Sequence, residues 1–193
     1  MMPTATTHRL GALSFVVTFH APFHVGSGVA SRGLDRVIDR ENPLPATGLK
    51  GVMRAAAAET LDLPTGLVTE VFGGPGGAAC PWWWSDARFI PQETSIDRLA
   101  RIRVDETTGT VQRGFLMMGE VVWSSQADFN VTLSDDRDEA TIARHELILR
   151  AAARAVVAVG GARRRGEGWV TITDQAPWGA DESRALLEMK AAS

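Results

Sequence analysis

Tyrosine is absent from this sequence and cysteine occurs once, as Cys80. A single cysteine excludes an internal disulfide and any zinc site built from several thiolates, and leaves a reducing compartment as the default. Lysine is almost as scarce: of the 20 basic residues only Lys50 and Lys190 are lysine. No apolar run approaches the roughly 20 residues a membrane span needs; even the Ala/Val-rich stretch 151–159 is interrupted by Arg154. The opening MMPTATTHRL has no apolar core of the signal-peptide kind, so a cytoplasmic location and no membrane partner are expected. The net charge of -3 argues against a generic phosphate-coating protein, which would carry a basic balance.

What is present points to one domain over residues 1–193, of which 45% are hydrophobic, enough for a sizeable core. The basic residues are mostly arginine, whose planar guanidinium grips phosphate in two-point fashion and stacks on bases. They gather in residues 32–54, 98–113 and 163–165, while acidic surplus lies at 135–139 and 174–188.

From Leu13 to Val25 apolar residues alternate with Ser14, Thr18, His20 and His24, the period-two signature of a half-buried strand, with Pro22 marking an edge or bulge. The glycine-punctuated segment HVGSGVASRGLDRVIDRENPLP that follows is too long for a simple connection. A helix is expected from Thr47 as N-cap, with Leu49, Val52, Met53, Ala56 and Thr60 inward. On a neighbouring face Lys50 and Arg54 stand four apart, where like charges repel and the first turn disfavours a cation. Either a phosphate sits there or both are solvated surface cations.

Trp82, Trp83 and Trp84 read as a short strand with apolar contact on both faces, in a core or subunit interface unless exposed for base stacking. The stretch RIRVDETTGTVQRGFLMMGEVVW reads as a hairpin turning at Thr107, Thr108 and Gly109, with Arg101 and Arg103 on one side and Ile102 and Val104 on the other. It is either an arm or a plain pair of sheet strands. After the strand ADFNVTL, Asp136 with Glu139 resembles a capping box. A second helix is expected to about Val159, with Ile142, Leu149, Ala153 and Val156 inward, ended by Gly160 and Gly161; WVTIT is the last strand. The order strand, helix, strands, hairpin, strand, helix, strand is that of an α+β, ferredoxin-like βαββαβ domain with a hairpin inserted over about 98–125.

Between the second helix and the last strand lies GGARRRGEGWV. A dinucleotide fingerprint needs strand, glycines, then helix; here the order is reversed. Glycines permit close backbone approach and offer amides to phosphate, and Arg163, Arg164 and Arg165 add charge. An extended polyanion tracked along its backbone fits better than a single nucleotide.

Taken in order, FHVGSG, GLDRVIDRENPLPATGLKGVMRAAAAE, VFGG before WWWSDA, RVDETTGTVQRGFLMMGEVV and GGARRRGEGWV resemble the RAMP superfamily of CRISPR proteins over residues 13–173. The pattern is most similar to the Csm-type backbone subunit of type III effector complexes. That resemblance implies a modified RNA-recognition (RRM) fold whose copies stack along a guide RNA (crRNA), with the hairpin as a thumb that displaces a nucleotide of the guide-target duplex at intervals. It implies guide phosphates held by Lys50, Arg54 and the loop with Gly161, Arg163, Arg164, Arg165, Gly166 and Gly168. The thumb's Arg101, Arg103 and Met117 would also meet RNA. It implies as partners the crRNA, the target RNA, further copies and other RAMP subunits, and the large polymerase-like and small subunits. It places at Asp35, with Asp39 nearby, the carboxylate that holds Mg2+ or another divalent ion for target RNA cleavage. Residue chemistry alone also allows Asp35 to be a loop carboxylate paired with Arg32 or Arg36. Two other roles stay open: a scaffold without catalysis, and metal-independent processing of precursor guide, for which His20 and His24 are the candidates.

Overall fold

The computed structural model describes residues 11–28 and 33–191; Arg32 lies outside them. The strands are β1 (Ala12–Phe19), β2 (Trp82–Trp84), β3 (Arg88–Phe89), β4 (Ser95–Val104), β5 (Val111–Trp123), β6 (Gln126–Leu133) and β7 (Val170–Asp174). The helices are α1 (Ala46–Ala55), α2 (Thr65–Phe72), α3 (Glu139–Ala155) and α4 (Ala180–Ala191). The main sheet runs β2-β6-β1-β7, all antiparallel, with β3 also on β6. This is the strand order of a ferredoxin-like, RRM-like domain, and β4 with β5 forms the inserted hairpin as a separate two-stranded sheet. No helix among the described residues is long and apolar enough to cross a membrane.

One face of the sheet is apolar and covered. Leu13, Phe15, Val17 and Phe19 of β1, Ala127, Phe129 and Val131 of β6 and Val170 and Ile172 of β7 are buried against Leu49 and Met53 of α1 and Ile148, Leu149, Ala152 and Ala153 of α3. Phe15 stacks on Phe129 at 5.1 Å between centroids. The opposite face carries Ser14, Thr18, Asn130, Thr171 and Thr173 between strands, as period-two alternation dictates.

Several sequence expectations need correction. β1 ends at Phe19 rather than near Val25. Pro22 has no amide to donate, and the chain turns so that Phe23 pairs with Val122 of β5, each amide donating to the other's carbonyl at 3.0 and 2.8 Å. The N-cap of α1 is Pro45, not Thr47, and makes no side-chain cap; instead Asp86 reaches in to accept from the Ala46 amide at 2.7 Å. Thr60 is exposed rather than inward because the helix widens into a π turn over Ala56–Thr60, which rotates the apolar stripe away from it. Asp138, not Asp136, caps α3, accepting from the Thr141 amide at 2.9 Å.

Helix α3 also stops at Ala155, four residues short of Val159. Residues 156–159 are extended, and Ala158 bridges to Trp169, so the close packing of the glycine loop overrides helix continuation. Within β2 only Trp82 and Trp84 are buried, while Trp83 is 60% exposed on the open sheet face. Three elements were not foreseen: α2, the short β3, and α4, which buries none of its own residues.

Candidate functional site

Beyond Gly33 the long segment after β1 runs along the outer edge of β5 and pairs with it at residues 118–120. Asp35 donates its amide to the Met118 carbonyl at 2.8 Å, and its Oδ2 accepts from the Met118 amide at 2.8 Å. Arg36 follows in a parallel bridge to Gly119, and its carbonyl accepts from the Glu120 amide at 3.0 Å. A Cβ on Gly119 would lie 3.0 Å from the Arg36 Cβ, so this crossing is close because residue 119 is glycine. Asp35 is thus held at the root of the hairpin, with its side chain exposed.

Two buried carboxylates anchor the segment. Glu120 accepts from the Ile38 amide at 3.2 Å and pairs with Arg40 at 2.5 Å. Burial works to raise its pKa, but the Ile38 amide and the Arg40 guanidinium outweigh that and hold it below the usual carboxylate range. Glu167, in the arginine loop, pairs with Arg36 at 2.7 Å and with Arg101 of β4. It is 2% exposed, so a carboxylate from one element joins cations from two others in a largely dehydrated position.

The arginine loop itself is sewn to the exit of β1. Gly161 donates to the His24 carbonyl and Gly168 to the Pro22 carbonyl, each at 2.8 Å. These amides were expected to face a phosphate; they are engaged within the chain. The glycines serve another need. A Cβ on Gly160 would fall 2.2 Å from the His24 carbonyl oxygen and one on Gly168 2.0 Å from that of Val159, both at positive φ. Backbone this close, on both sides of the loop, lifts Arg163, Arg164, Arg165 and Gly166 into solvent, where the three guanidiniums form no ion pair among the described residues.

The hairpin wall beside this loop mixes apolar and cationic groups. Arg101, Ile102, Arg103, Phe115, Met117 and Arg165 line a depression of about 820 Å³, within the size range of small-molecule sites. Arg103 stacks over the Phe115 ring at 5.3 Å, and Met117 is 41% exposed. On the other side of Met117, Arg36 and Arg163 to Arg165 line an adjoining depression. Arg101, Arg103, Met117 and the arginine loop are therefore parts of one surface, and Asp35, which lines neither depression, is fixed next to it through the Met118 backbone and its chain neighbour Arg36.

Lys50 and Arg54 occupy α1 without an ion pair among the described residues, Lys50 half-buried and Arg54 exposed. They do not line the groove between α1 and the loop, whose walls are Val52, Ala55, Glu59, Val157, Arg163 and Trp169. The two candidate histidines part company. Exposed His20 bonds Thr171 at 2.8 Å, whereas His24 is buried and donates from Nδ1 to the Glu120 carbonyl at 2.9 Å. Burial and the Arg36 charge lower the His24 pKa, which keeps the ring neutral. Past Phe19 they no longer share a strand face.

Could a divalent ion sit here? No three His, Cys, Asp or Glu side chains among the described residues form a cage. Asp39 uses its Oδ1 to accept the Glu41 and Asn42 amides, closing its own turn. Asp35 uses Oδ2 for Met118, and Oδ1 has no partner among the described residues. That donor set fits Mg2+, which takes one or two protein carboxylates and fills its shell with water and phosphate; it does not fit an ion that demands an all-protein cage.

Reading residues alone did not find Glu120 and Glu167. The available signal was an acid at an inward position of the apolar run FLMMGEVVW, and another between two glycines directly after three arginines.

Comparison with known proteins agrees with this architecture. A chain of a structure described as "Cryo-EM structure of the Type III-B Cmr-beta bound to cognate target RNA" superposes with a TM-score of 0.66 at 15% identity, covering 84% of this chain and 96% of that one. A chain of "Type III-B Cmr-beta Cryo-EM structure of the Apo state" gives 0.65 at 16% identity, covering 85% and 97%. At these identities the likeness speaks for the fold. No curated protein matches in sequence. The model of the RAMP superfamily matches residues 16–171, from within β1 to the start of β7. By that match, the chain belongs to the RAMP superfamily.

Proposed function

We propose that this chain is a guide-RNA-binding backbone subunit of a type III CRISPR effector complex, and that it cleaves complementary target RNA in a metal-dependent reaction. The observation that carries the reading is a surface of three arginines with no ion pair among the described residues, set against a projecting hairpin and next to a backbone-fixed carboxylate whose Oδ1 has no partner among those residues. Guanidiniums at positions 163 to 165 suit a phosphate backbone. The exposed Ile102, Phe115, Leu116 and Met117 along the hairpin strands suit insertion beside a base. Support from outside the chain comes from its fold neighbours, which belong to a type III-B complex, one of them bound to its cognate target RNA. Lys50 and Arg54 on α1 are taken as a separate pair of guide-phosphate contacts.

In this reading Asp35 Oδ1 would hold a divalent ion such as Mg2+, and that ion would neutralise the negative charge that develops on the phosphate oxygens. The chain's own part is to fix the carboxylate against Met118, to grip the backbone through Arg163 to Arg165, and to hold a nucleotide out of the stack with the thumb so that its 2′-hydroxyl lines up with the scissile phosphate. Partners are guide RNA, target RNA, further copies of the chain, other RAMP subunits, and the large and small subunits of the complex, in the cytoplasm.

The test is cleavage of labelled complementary RNA by the assembled complex, in Mg2+ and in EDTA, with Asp35→Asn beside wild type. Asparagine keeps an acceptor for the Met118 amide while removing the charge. Regularly spaced cuts that vanish in EDTA and in the variant, with target binding intact, are the expected result. A second reading, a scaffold without catalysis, is favoured by the structural use of Asp35 Oδ2 as a cap on Met118; cutting that is unchanged by Asp35→Asn would establish it.

A further inference from the structure

The strongest group with no part in the chemistry above is Glu167. Its carboxylate is 2% exposed, and it joins Arg36, whose side chain is 18% exposed, to Arg101, at 22%. Dehydrating a carboxylate is costly unless cations and hydrogen bonds compensate, and here both compensating cations come from other elements. Arg36 directly follows Asp35. Arg101 stands on β4, opposite Met117 in register, and Glu167 itself follows Arg163, Arg164 and Arg165 in the loop.

We infer that Glu167 is a positioning residue, one that acts through Arg36 to hold the Asp35 carboxylate in fixed relation to the hairpin and the arginine loop. This inference rests on the reading of Asp35 as the metal-holding group. Among the described residues the segment carrying Asp35 is held by Asp35 on Met118, the Arg36 carbonyl on Glu120, the Val37 carbonyl on the Ser27 amide, Ile38 and Arg40 on the Glu120 side chain, and the Arg36 guanidinium on Glu167. The contacts with Met118 and Glu120 tie it to β5, and that with Ser27 to the chain that follows β1. Among these, the Arg36 guanidinium is the one that ties it directly to the loop that would hold the RNA backbone. Without the Glu167 charge, Arg36, Arg101, Arg103 and Arg165 would form an unrelieved cationic cluster, and a bound phosphate would draw Arg36 outward and its neighbour with it. With Glu167, the grip on the phosphates and the carboxylate beside the thumb belong to one rigid unit.

Glu167→Gln keeps the side chain's shape and removes its charge. The complex is assembled with guide RNA, and three quantities are read: target RNA affinity, the single-turnover cleavage rate at saturating target and Mg2+, and hydrogen exchange in residues 33–38 and 116–120. The expected result is affinity within a few-fold of wild type, cleavage slowed roughly 10- to 100-fold, as a displacement near 1 Å costs, and faster exchange confined to those two segments. Arg36→Gln, which leaves Glu167 its bond to Arg101, should slow cleavage comparably, and the two changes together should cost no more than the larger alone.

Wild-type cleavage and exchange in Glu167→Gln would overturn the inference. So would equal losses of binding and cleavage, which mark a purely structural anchor. Should Glu167→Gln fail to assemble, Arg36→Gln decides, and wild-type behaviour there overturns it. If the wild-type complex itself does not cut, the Asp35 reading fails, and the exchange measurement still decides whether Glu167 positions that segment.

Discussion

Replacing Gly168 by alanine tests why the arginine loop is flanked by glycine. Gly168 sits at φ +74, and a Cβ there would meet the Val159 carbonyl oxygen at 2.0 Å and its carbon at 3.1 Å. Left-handed backbone costs a non-glycine residue about 1–2 kcal/mol. The clash is with backbone, so no rotamer relieves it; the ribbon of 157–159 against 168–170 must part. That loosens the Val159 to Gly168 and Gly168 to Pro22 hydrogen bonds, both 2.8 Å, each worth about 1 kcal/mol. The sum is about 3–4 kcal/mol, which for a chain of this length lowers Tm by roughly 10 °C.

Gly166 is the internal control. Its φ is +82, yet nothing lies within 4 Å of a Cβ there, so Gly166→Ala pays backbone strain alone, about 1–2 kcal/mol. Thermal and urea unfolding of the two variants, with guide RNA binding by gel shift at equal folded protein, separates the terms. Equal destabilisation by both substitutions would refute the close-approach argument and leave only a conformational one. Loss of RNA binding by Gly166→Ala with stability little changed would show that the exposed turn itself meets the ligand.

Two further outcomes are expected. Because His24 has a folded pKa lowered from 6.5, the unfolded chain binds its proton first as pH falls. Its contribution to stability is complete above pH 6.5 and declines as pH drops below that value. Urea midpoints between pH 7 and 5 should fall for wild type and fall less for His24→Gln, which keeps a donor for Glu120; identical slopes would count against a buried neutral imidazole. Asp138→Ala should cost about 1 kcal/mol through loss of the α3 cap, and Asp136→Ala within about 0.5 kcal/mol; the reverse order in chemical denaturation would restore the capping box suggested by the sequence.

The framework of the fold was legible because it rests on periodicity. Leu13 to Phe19 and the inward face of α3 declare their burial by spacing alone, and the order of elements then leaves few topologies. Boundaries failed where tertiary contacts overrode local preference. Phe23 left the strand to pair with Val122, residues 156–159 left the helix to pair with the loop, and Asp86, 40 residues away in sequence, took over the cap that Thr47 was expected to provide.

The site divided in the same way. Arginines in a glycine setting and an aspartate in a long loop are local signals, and the structure brings both to the hairpin root. Glu120 and Glu167 act only through partners distant in the chain, such as Arg36, 131 residues before Glu167. No window of sequence contains that pairing.

The hairpin's support has a mechanical consequence. β5 is gripped from residue 118 to residue 122 by Asp35, Arg36 and Phe23, while the ladder partners of residues 111–117 among the described residues are all on β4, whose Arg101, across from Met117, reaches the carboxylate of Glu167. At about 3.4 Å per residue the unsupported part reaches some 24 Å beyond its fulcrum. A lever of that ratio converts a rotation of about 10° at the root into roughly 4 Å of travel at the tip. The tip's register along a bound strand is thus set by a few hydrogen bonds at the opposite end, and small changes at Met118 or Gly119 are read out more than two nanometres away.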